Sequence, residues 1–491
     1  MSETANRPQP PATSAPPQRT VVVIGSGIAG LSAAVSAAEA LAGTQGPQGS
    51  RGEEAGEAGE ARVVVVERAE PHEAGGNTRW TSAYLRLDDV YEPGDSFVED
   101  ILAFSDGRTP AAYVETLLDL LPETMEWIQE HGVRFRRLPT YFINSSRRRL
   151  QPVGGGEALL AALRPAAERL GVRFRYGTTA HRLVRDDAGR VSGVVVAGPD
   201  GEETLPADSV IIASGGFEGD TDALSEALGK DASGLRPIAP GVLFNKGEGI
   251  RMALEAGARA GGQWDSFHAE PVDPRSPDPE ALVMVFPYGI LVNERGERFV
   301  DEGRGTVDET YESTARAIWQ QPGGTAYFLT DRSFESVTAR DRGLLTTAKP
   351  VVADSLEDLG RRLGLPAEKL AETVATFNSS VRQGGFDWRQ PDGKGTEGLD
   401  PPKSNWAVPL ADPPFLAYPI VCAIVFTFGG LETTEQAEVV DGTGAPIPGL
   451  YAAGECTGIY HGKYPGGTSV LRGMIFGRIA GRHAARALSR S

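Results

Sequence analysis

Gly25, Gly27 and Gly30, spaced as G-x-G-x-x-G, form the pattern in this chain that most directly implies chemistry. The first glycine permits a tight turn, the second lets backbone approach a pyrophosphate, and the third lets a helix pack close to a strand. A helix opening there aims unpaired N–H groups and the positive end of its dipole at phosphate. An acidic residue at the end of the next strand takes ribose hydroxyls, about 20 positions past the glycines. Glu67 fills that role once residues 43–60 (GTQGPQGSRGEEAGEAGE) are read as a polar, low-complexity insert. Cys422 and Cys456 are far apart and form no C-x-x-C, which excludes the dithiol–disulfide reductases. They read as two ordinary thiols.

These residues need elements to position them. Val21, Val22, Val23 and Ile24 make a short β-branched run, the mark of a strand buried on both faces, and an Ala-rich helical segment follows. The second strand is Arg62–Val66. Residues 154–163 read as a glycine turn into an amphipathic helix. Residues 172–176 and 190–196 read as strands of a hairpin region around residues 177–182. Residues 209–216 form another buried strand ending in small residues, and residues 247–258 a helix. Residues 271–414 then mix short strands, helices and polar loops, including a Gly/Pro/Lys-rich stretch at 383–403. Buried-strand character returns at residues 446–455, a strand running into small residues, and at 466–482 a glycine-rich turn leads into a closing helix. This order predicts an α/β chain whose Rossmann-like dinucleotide-binding domain is interrupted by an α+β substrate or capping domain. The expected boundaries are a tail at 1–18, the first part at 19–268, the insert at 269–415 and the second part at 416–491.

Composition narrows the partners. With 491 residues the chain is long enough for two or three domains, and its 61 glycines suit many tight turns. The formal charge of −18 argues against nucleic acid or an anionic membrane as partner. No apolar run approaches the roughly 18 residues of a membrane span. Residues 2–18 are rich in Pro, Ala and Ser and lack an apolar h-region and a twin-arginine pair, so they read as a disordered tail rather than a signal peptide. The expected location is cytoplasmic.

Several motifs together resemble the flavoproteins of the fumarate reductase, succinate dehydrogenase and 3-ketosteroid dehydrogenase superfamily. They are the GSGIAG turn, Glu67-Arg68, Gly75-Gly76-Asn77-Thr78, Ala213-Ser214-Gly215-Gly216, residues 289–302 (GILVNERGERFVDE), residues 450–455 (LYAAGE) and residues 464–477 (YPGGTSVLRGMIFG). Within the superfamily, the segments at 75–86, 247–258 and 464–469 look most like tricarballylate dehydrogenases, and YPGG also resembles the 3-ketosteroid dehydrogenases. The resemblance implies FAD, in a domain of the glutathione-reductase type. Gly25, Ser26, Gly27, Ala29 and Gly30 would then hold the pyrophosphate, and Glu67, with Arg68 beside it, the adenosine ribose. Gly76, Asn77 and Thr78 would lie near the phosphates and isoalloxazine, with Ala213, Ser214 and Gly215 also at the cofactor. Ala180 falls in the hairpin whose backbone reads adenine, with the side chain of His181 structural. Gly454 and Glu455 would meet the ribityl chain. Thr468, Ser469 and Val470 open the last helix, whose N-terminus can face the flavin pyrimidine. Covalent members attach flavin through a histidine near the GG motif. His72, the nearest candidate, lies on the wrong side of a short loop, so FAD is expected to be non-covalent. No metal is expected.

The same resemblance supplies candidates for the chemistry. A protein of this class must move a proton at one carbon and polarise the activating carbonyl or carboxylate. Tyr464 of YPGG matches the tyrosine that, with a backbone N–H from the glycines after it, holds a ketone oxygen in ketosteroid dehydrogenases. His268 matches a histidine lining the substrate site of soluble fumarate reductases. The acid/base position after the RFVDE motif is arginine in fumarate reductases and tyrosine in ketosteroid dehydrogenases. Counting from Glu302 it falls on Thr306, too weak an acid unaided. Arg304, Asp308, Glu309 and Tyr311 lie nearby, and Arg304 is the choice, because a loop shift of two residues brings it into place. Arg79, Arg86 and Arg472 could clamp carboxylates with bidentate guanidinium groups. Arg147, Arg148 and Arg149 read as a solvated turn that could cover the site, Arg298 as support for the RFVDE loop, and Lys463 as a further charge beside Tyr464.

The expected function is an FAD-dependent oxidoreductase acting on CH–CH groups. Hydride passes between flavin N5 and the carbon α or β to a carboxylate or ketone (an enone in the oxidised partner) of a small organic substrate, and electrons leave to a separate acceptor or to O2. Two alternatives stand beside it. One is a biosynthetic desaturase or oxidase of a larger or tethered intermediate. The other is an FAD-binding protein without redox turnover.

Overall fold

The computed structural model describes residues 19–44, 62–94, 96–144 and 148–490. The expected tail at 1–18, most of the polar insert at 43–60 and Arg147 lie outside them. The fold is α/β.

Thr20–Ile24 sits inside a six-stranded sheet ordered Glu438–Val440, Pro446–Ala452, Ser209–Ile212, Thr20–Ile24, Arg62–Val66, Arg173–Arg175. All neighbours are parallel except the edge pair Glu438–Val440 and Pro446–Ala452. Burial on both faces explains the unbroken valine runs, and alternation divides them. Val21, Val23, Val63 and Val65 pack with the helices Ile28–Thr44 and Ser469–Arg490. Val22, Ile24 and Val66 pack instead with Val194, Val196 and Ile250, from the strand Val191–Gly198 and the helix Glu248–Glu255. The two long helices touch closely because Gly481 lies against Ala33, where a Cβ would stand 2.2 Å from the Ala33 carbonyl oxygen. Gly30 is held as tightly: its Cβ would stand 2.0 Å from the Gly25 oxygen.

The second sheet is built on the 13-residue strand Phe415–Thr427. Phe267–Val272, Thr325–Thr330 and Val351–Ala353 pair with it antiparallel, Arg236–Pro237 pairs parallel, and Ile290–Asn293 adds to Thr325–Thr330. The helix Val307–Trp319 packs on Phe267–Val272 and Phe415–Thr427. A bulge between His268 and Ala269 shifts the register of Phe267–Val272, a device that re-aims side chains beside functional sites.

One expected element changes place. The sequence pattern puts residues 172–176 in a hairpin, but Arg173–Arg175 joins the parallel sheet beside Arg62–Val66. The chain then turns at Gly177, whose φ is +58°, and the hairpin is Thr179–Arg185 with Val191–Gly198. Among the described residues, no helix is long and apolar enough to cross a membrane.

Candidate active site

Parallel α/β sheets gather ligands beyond the carboxyl ends of their strands. Here Ile24–Gly25, Val66–Glu67, Ala213–Ser214 and Ala453–Gly454 all border one cavity of about 1720 Å³, its open mouth included.

At one end lies the glycine turn. Gly25, Ser26, Gly27 and Ala29 line the wall, while Gly30 is set behind them. The Glu67 carboxylate is fixed by three donors: Ser26 N–H at 2.9 Å, the Ser26 hydroxyl at 2.6 Å and Ala69 N–H at 2.9 Å. Arg68 also lines the wall and pairs with Glu248 at 2.8 Å. Ala180 reaches the cavity but His181 does not, and its ring faces Glu202 instead.

Gly76, Asn77 and Thr78 border the same cavity, as do Gly215, Gly454 and Glu455. The Thr78 hydroxyl accepts from Ile28 N–H at 3.1 Å, tying this turn to the start of the first helix. Asn77 Nδ2 donates to Glu218 at 3.1 Å and to the Val425 carbonyl at 2.9 Å, whereas its Oδ1 is buried without a partner among the described residues. Asn245 also donates to Glu218, at 2.6 Å. Burial, then the charge of Glu455, raises Glu218 well above the usual carboxyl range, and burial raises Glu455. Two carboxyls this close cannot both ionise cheaply.

Ser469 and Val470 line the wall at the start of the last helix; Thr468 is buried behind it, bonded to Tyr460 at 2.8 Å. The ring of Tyr464 belongs to the wall, but its hydroxyl turns onto the helix. It accepts from the N–H groups of Gly467, Thr468 and Ser469 at 3.1, 3.0 and 3.0 Å and donates to the Ser469 hydroxyl at 3.0 Å. The phenol expected to polarise a substrate carbonyl instead satisfies the helix's unpaired amides.

His268 stands beside it, ring centroids 4.5 Å apart. Its Nδ1 lies 3.0 Å from Glu312, which is itself paired with Arg316, and its Nε2 lies 3.8 Å from Glu270. The Tyr141 hydroxyl donates to Glu270 at 3.2 Å. Burial depresses His268, so the imidazole is neutral near pH 7; burial, then Glu280, pushes Glu270 up to about 8.

Arg304 needs correction. It is exposed, donates to the Ser313 hydroxyl and is absent from the cavity wall. The reason is where the helix begins. Thr306 is the N-cap of Val307–Trp319, its N–H and hydroxyl both bound to Glu309, so Arg304 stays in the loop outside. Tyr311, one turn into the helix, lines the cavity and is only 4 % exposed. Its ring meets His268 edge-on at 5.7 Å, and its hydroxyl has no partner among the described residues. Burial, then Glu312 and Glu270, raises it well above the usual phenol range. The buried spacing Val307, Tyr311, Ala315, Ile318 is the sequence signal that points to it. Glu270 also escapes a reading of the sequence, although it lies two residues after His268, on the same face of a strand.

The expected arginine clamps are committed elsewhere. Arg79 binds Glu157, Arg86 binds Asp100, and Arg472 donates to the Thr457 hydroxyl at 2.8 Å. Arg298 binds Glu302 at 2.6 Å, supporting its loop, and Lys463 is exposed. Arg149 does line the cavity, 3.4 Å from Asp308. Among the described residues, no group of His, Cys, Asp and Glu could hold a metal.

Residues 52–471 match the family described as FAD binding domain. The chain is 27 % identical to a fumarate reductase (cytochrome) of Shewanella frigidimarina over 95 % of its own length and 77 % of that protein. It is 31 % identical to a 4-oxocyclohexanecarboxylate 2-dehydrogenase of Sinomonas cyclohexanicum, over 77 % and 71 %. The crystal structure of a 3-ketosteroid-Δ4-(5α)-dehydrogenase from Rhodococcus jostii, in complex with 4-androstene-3,17-dione, superposes with a TM-score of 0.67 at 27 % identity, covering 98 % of this chain and all of the other.

Proposed function

Because the chain belongs to the FAD binding domain family, we propose that its cavity takes FAD at the strand ends and a small carbonyl compound beside Tyr311. It is an FAD-dependent oxidoreductase acting on CH–CH groups. The residues present fit the cofactor. A Cβ on Gly76 would meet nothing within 4 Å, so backbone there is open to a ligand, and the orphaned Asn77 Oδ1 needs a donor. Gly25, Ser26 and Gly27 hold the pyrophosphate, Glu67 the ribose, Glu455 the ribityl chain, and Ser469 and Val470 the pyrimidine side. Attachment is non-covalent, since His72 is exposed and outside the wall. The first sheet, with strands from both ends of the chain, forms the cofactor-binding part and the second sheet the cap, so the expected boundaries at 268/269 and 415/416 fall inside the cap strands Phe267–Val272 and Phe415–Thr427.

When bound, FAD supplies two-electron hydride chemistry at N5. The chain supplies the rest. Tyr311 moves the proton at the substrate carbon next to the reacting one, through a hydroxyl that no group among the described residues engages. Glu312, paired with Arg316, accepts from Nδ1–H of His268, which fixes that tautomer and leaves Nε2 toward the substrate side. Tyr464 closes the last helix and walls the site with its ring. Electrons pass to a separate acceptor or to O2.

The observation that carries this reading is Tyr311, a buried residue lining the same cavity as the glycine turn, with no partner for its hydroxyl among the described residues. Anaerobic mixing of the reduced and oxidised holoenzyme with fumarate, 4-oxocyclohexanecarboxylate and 4-androstene-3,17-dione tests it. At least one should bleach or restore the flavin absorption band; a spectrum unmoved by all three, and by their reduced or oxidised partners, counts against it.

A further inference from the structure

The substrate end of the cavity carries more acid than base. Asp308 is offset by Arg149 and Glu312 by Arg316. Glu270 and Glu280, both on the wall, have no arginine or lysine ion-pair partner among the described residues. The other arginines on the wall, Arg68 and Arg472, are held at the cofactor side by Glu248 and Thr457. Arg136 and Arg342, whose charges reach Tyr84, are exposed and bonded to Gln151 and to the Thr140 carbonyl.

The two carboxyls are fixed in place. Tyr141 holds one oxygen of Glu270, whose other oxygen has no partner among the described residues. Ser82 binds Glu280 through its hydroxyl at 2.8 Å and its N–H at 3.3 Å. Glu280 adopts φ +55°, the left-handed region that a glutamate occupies only when its surroundings impose it. A second feature lines the same space: Tyr311, whose hydroxyl is a neutral donor with no partner among the described residues.

Resting on the function proposed above, we propose that Glu270 and Glu280 act as a charge filter, admitting uncharged ketones and rejecting substrates that bring a carboxylate beside them. A ketone oxygen can accept from a neutral phenol at no cost in charge. An incoming carboxylate adds an anion to a buried wall that has no uncommitted cation to receive it. Burial, then the charge of Glu280, already holds Glu270 at about 8, a sign that this wall resists one more negative charge.

A matched pair of ligands tests the filter. Anaerobic holoenzyme is titrated with 4-oxocyclohexanecarboxylate and with its methyl ester, binding being read from perturbation of the flavin absorption band. The ester should bind roughly tenfold or more tightly. In the Glu270→Gln/Glu280→Gln double variant the preference should collapse toward equality. Glu270→Gln alone leaves the Glu280 carboxyl in place and should keep most of it. Equal or tighter binding of the carboxylate by the unaltered enzyme overturns the proposal, as does an undiminished preference in the double variant, or failure of both ligands to bind. The comparison on the unaltered enzyme decides the substrate class even if the double variant loses its cofactor. A ketone that binds with the expected preference yet never bleaches the flavin would sink the oxidoreductase mechanism and leave the filter standing.

Discussion

Tyr311 faces the cavity while Arg304, seven residues before it, faces solvent, and a proton can be moved only from the first position. Tyr311→Phe should therefore lower turnover by about 10²–10⁴-fold, the usual worth of a positioned acid or base. The flavin spectrum and the fold should be unchanged. Arg304→Ala should leave turnover near its starting value, and the reverse pattern would restore Arg304 to the site. Glu270 makes a separate prediction through pH. Its folded pKa of about 8 lies above the ordinary glutamate value of 4.5, so the native chain holds a proton that the unfolded chain loses. That contribution to stability is fully present below about pH 4.5 and is lost as pH rises through about 8, at a slope of about 1.4 kcal/mol per pH unit. Glu270→Gln cannot lose that proton. The difference in thermal midpoint between variant and parent should move in the variant's favour from pH 5 to pH 9, and a difference constant with pH would refute the assignment.

Helix packing sets the next prediction. Gly481→Leu would drive a side chain into the Ala33 carbonyl, where even a Cβ stands 2.2 Å away. It should cost about 1–3 kcal/mol or more, read as a lower denaturation midpoint. Gly43→Ala is the control, since a Cβ there meets nothing within 4 Å and alanine favours the helix. An unchanged midpoint for Gly481→Leu would mean that the helices can separate without penalty. Local pattern makes the cofactor side legible: the valine runs, the glycine turn and the small residues after each strand announce their own conformation. The acid/base position is not legible by counting from Glu302, because the length of the loop before Thr306 decides which residue falls on the buried face of Val307–Trp319. Residues 172–176 cannot be assigned by pattern either, since an edge strand and a hairpin strand look alike until the neighbour is known. Glu270 and Glu280 take their meaning from distant partners, Tyr141 and Ser82, that no local window contains.

At the scale of the molecule, the cavity is enclosed by strand ends contributed from residue 24 to residue 454, so a ligand filling it ties both ends of the chain together. FAD binding the native state alone should stabilise it by about 2.7 kcal/mol at a hundredfold excess over Kd. Stripped protein should therefore melt at a lower temperature and recover on adding FAD; a midpoint indifferent to FAD would deny the cofactor its place. The order of the first sheet has another effect, felt during synthesis. Ser209–Ile212 lies between Thr20–Ile24 and Pro446–Ala452, so its second hydrogen-bonding edge stays bare while residues 213–445 are being translated. A nascent chain in that interval exposes an apolar, unpaired edge of the kind that adheres to other chains. Premature termination anywhere in that interval should thus give insoluble fragments rather than smaller folded proteins.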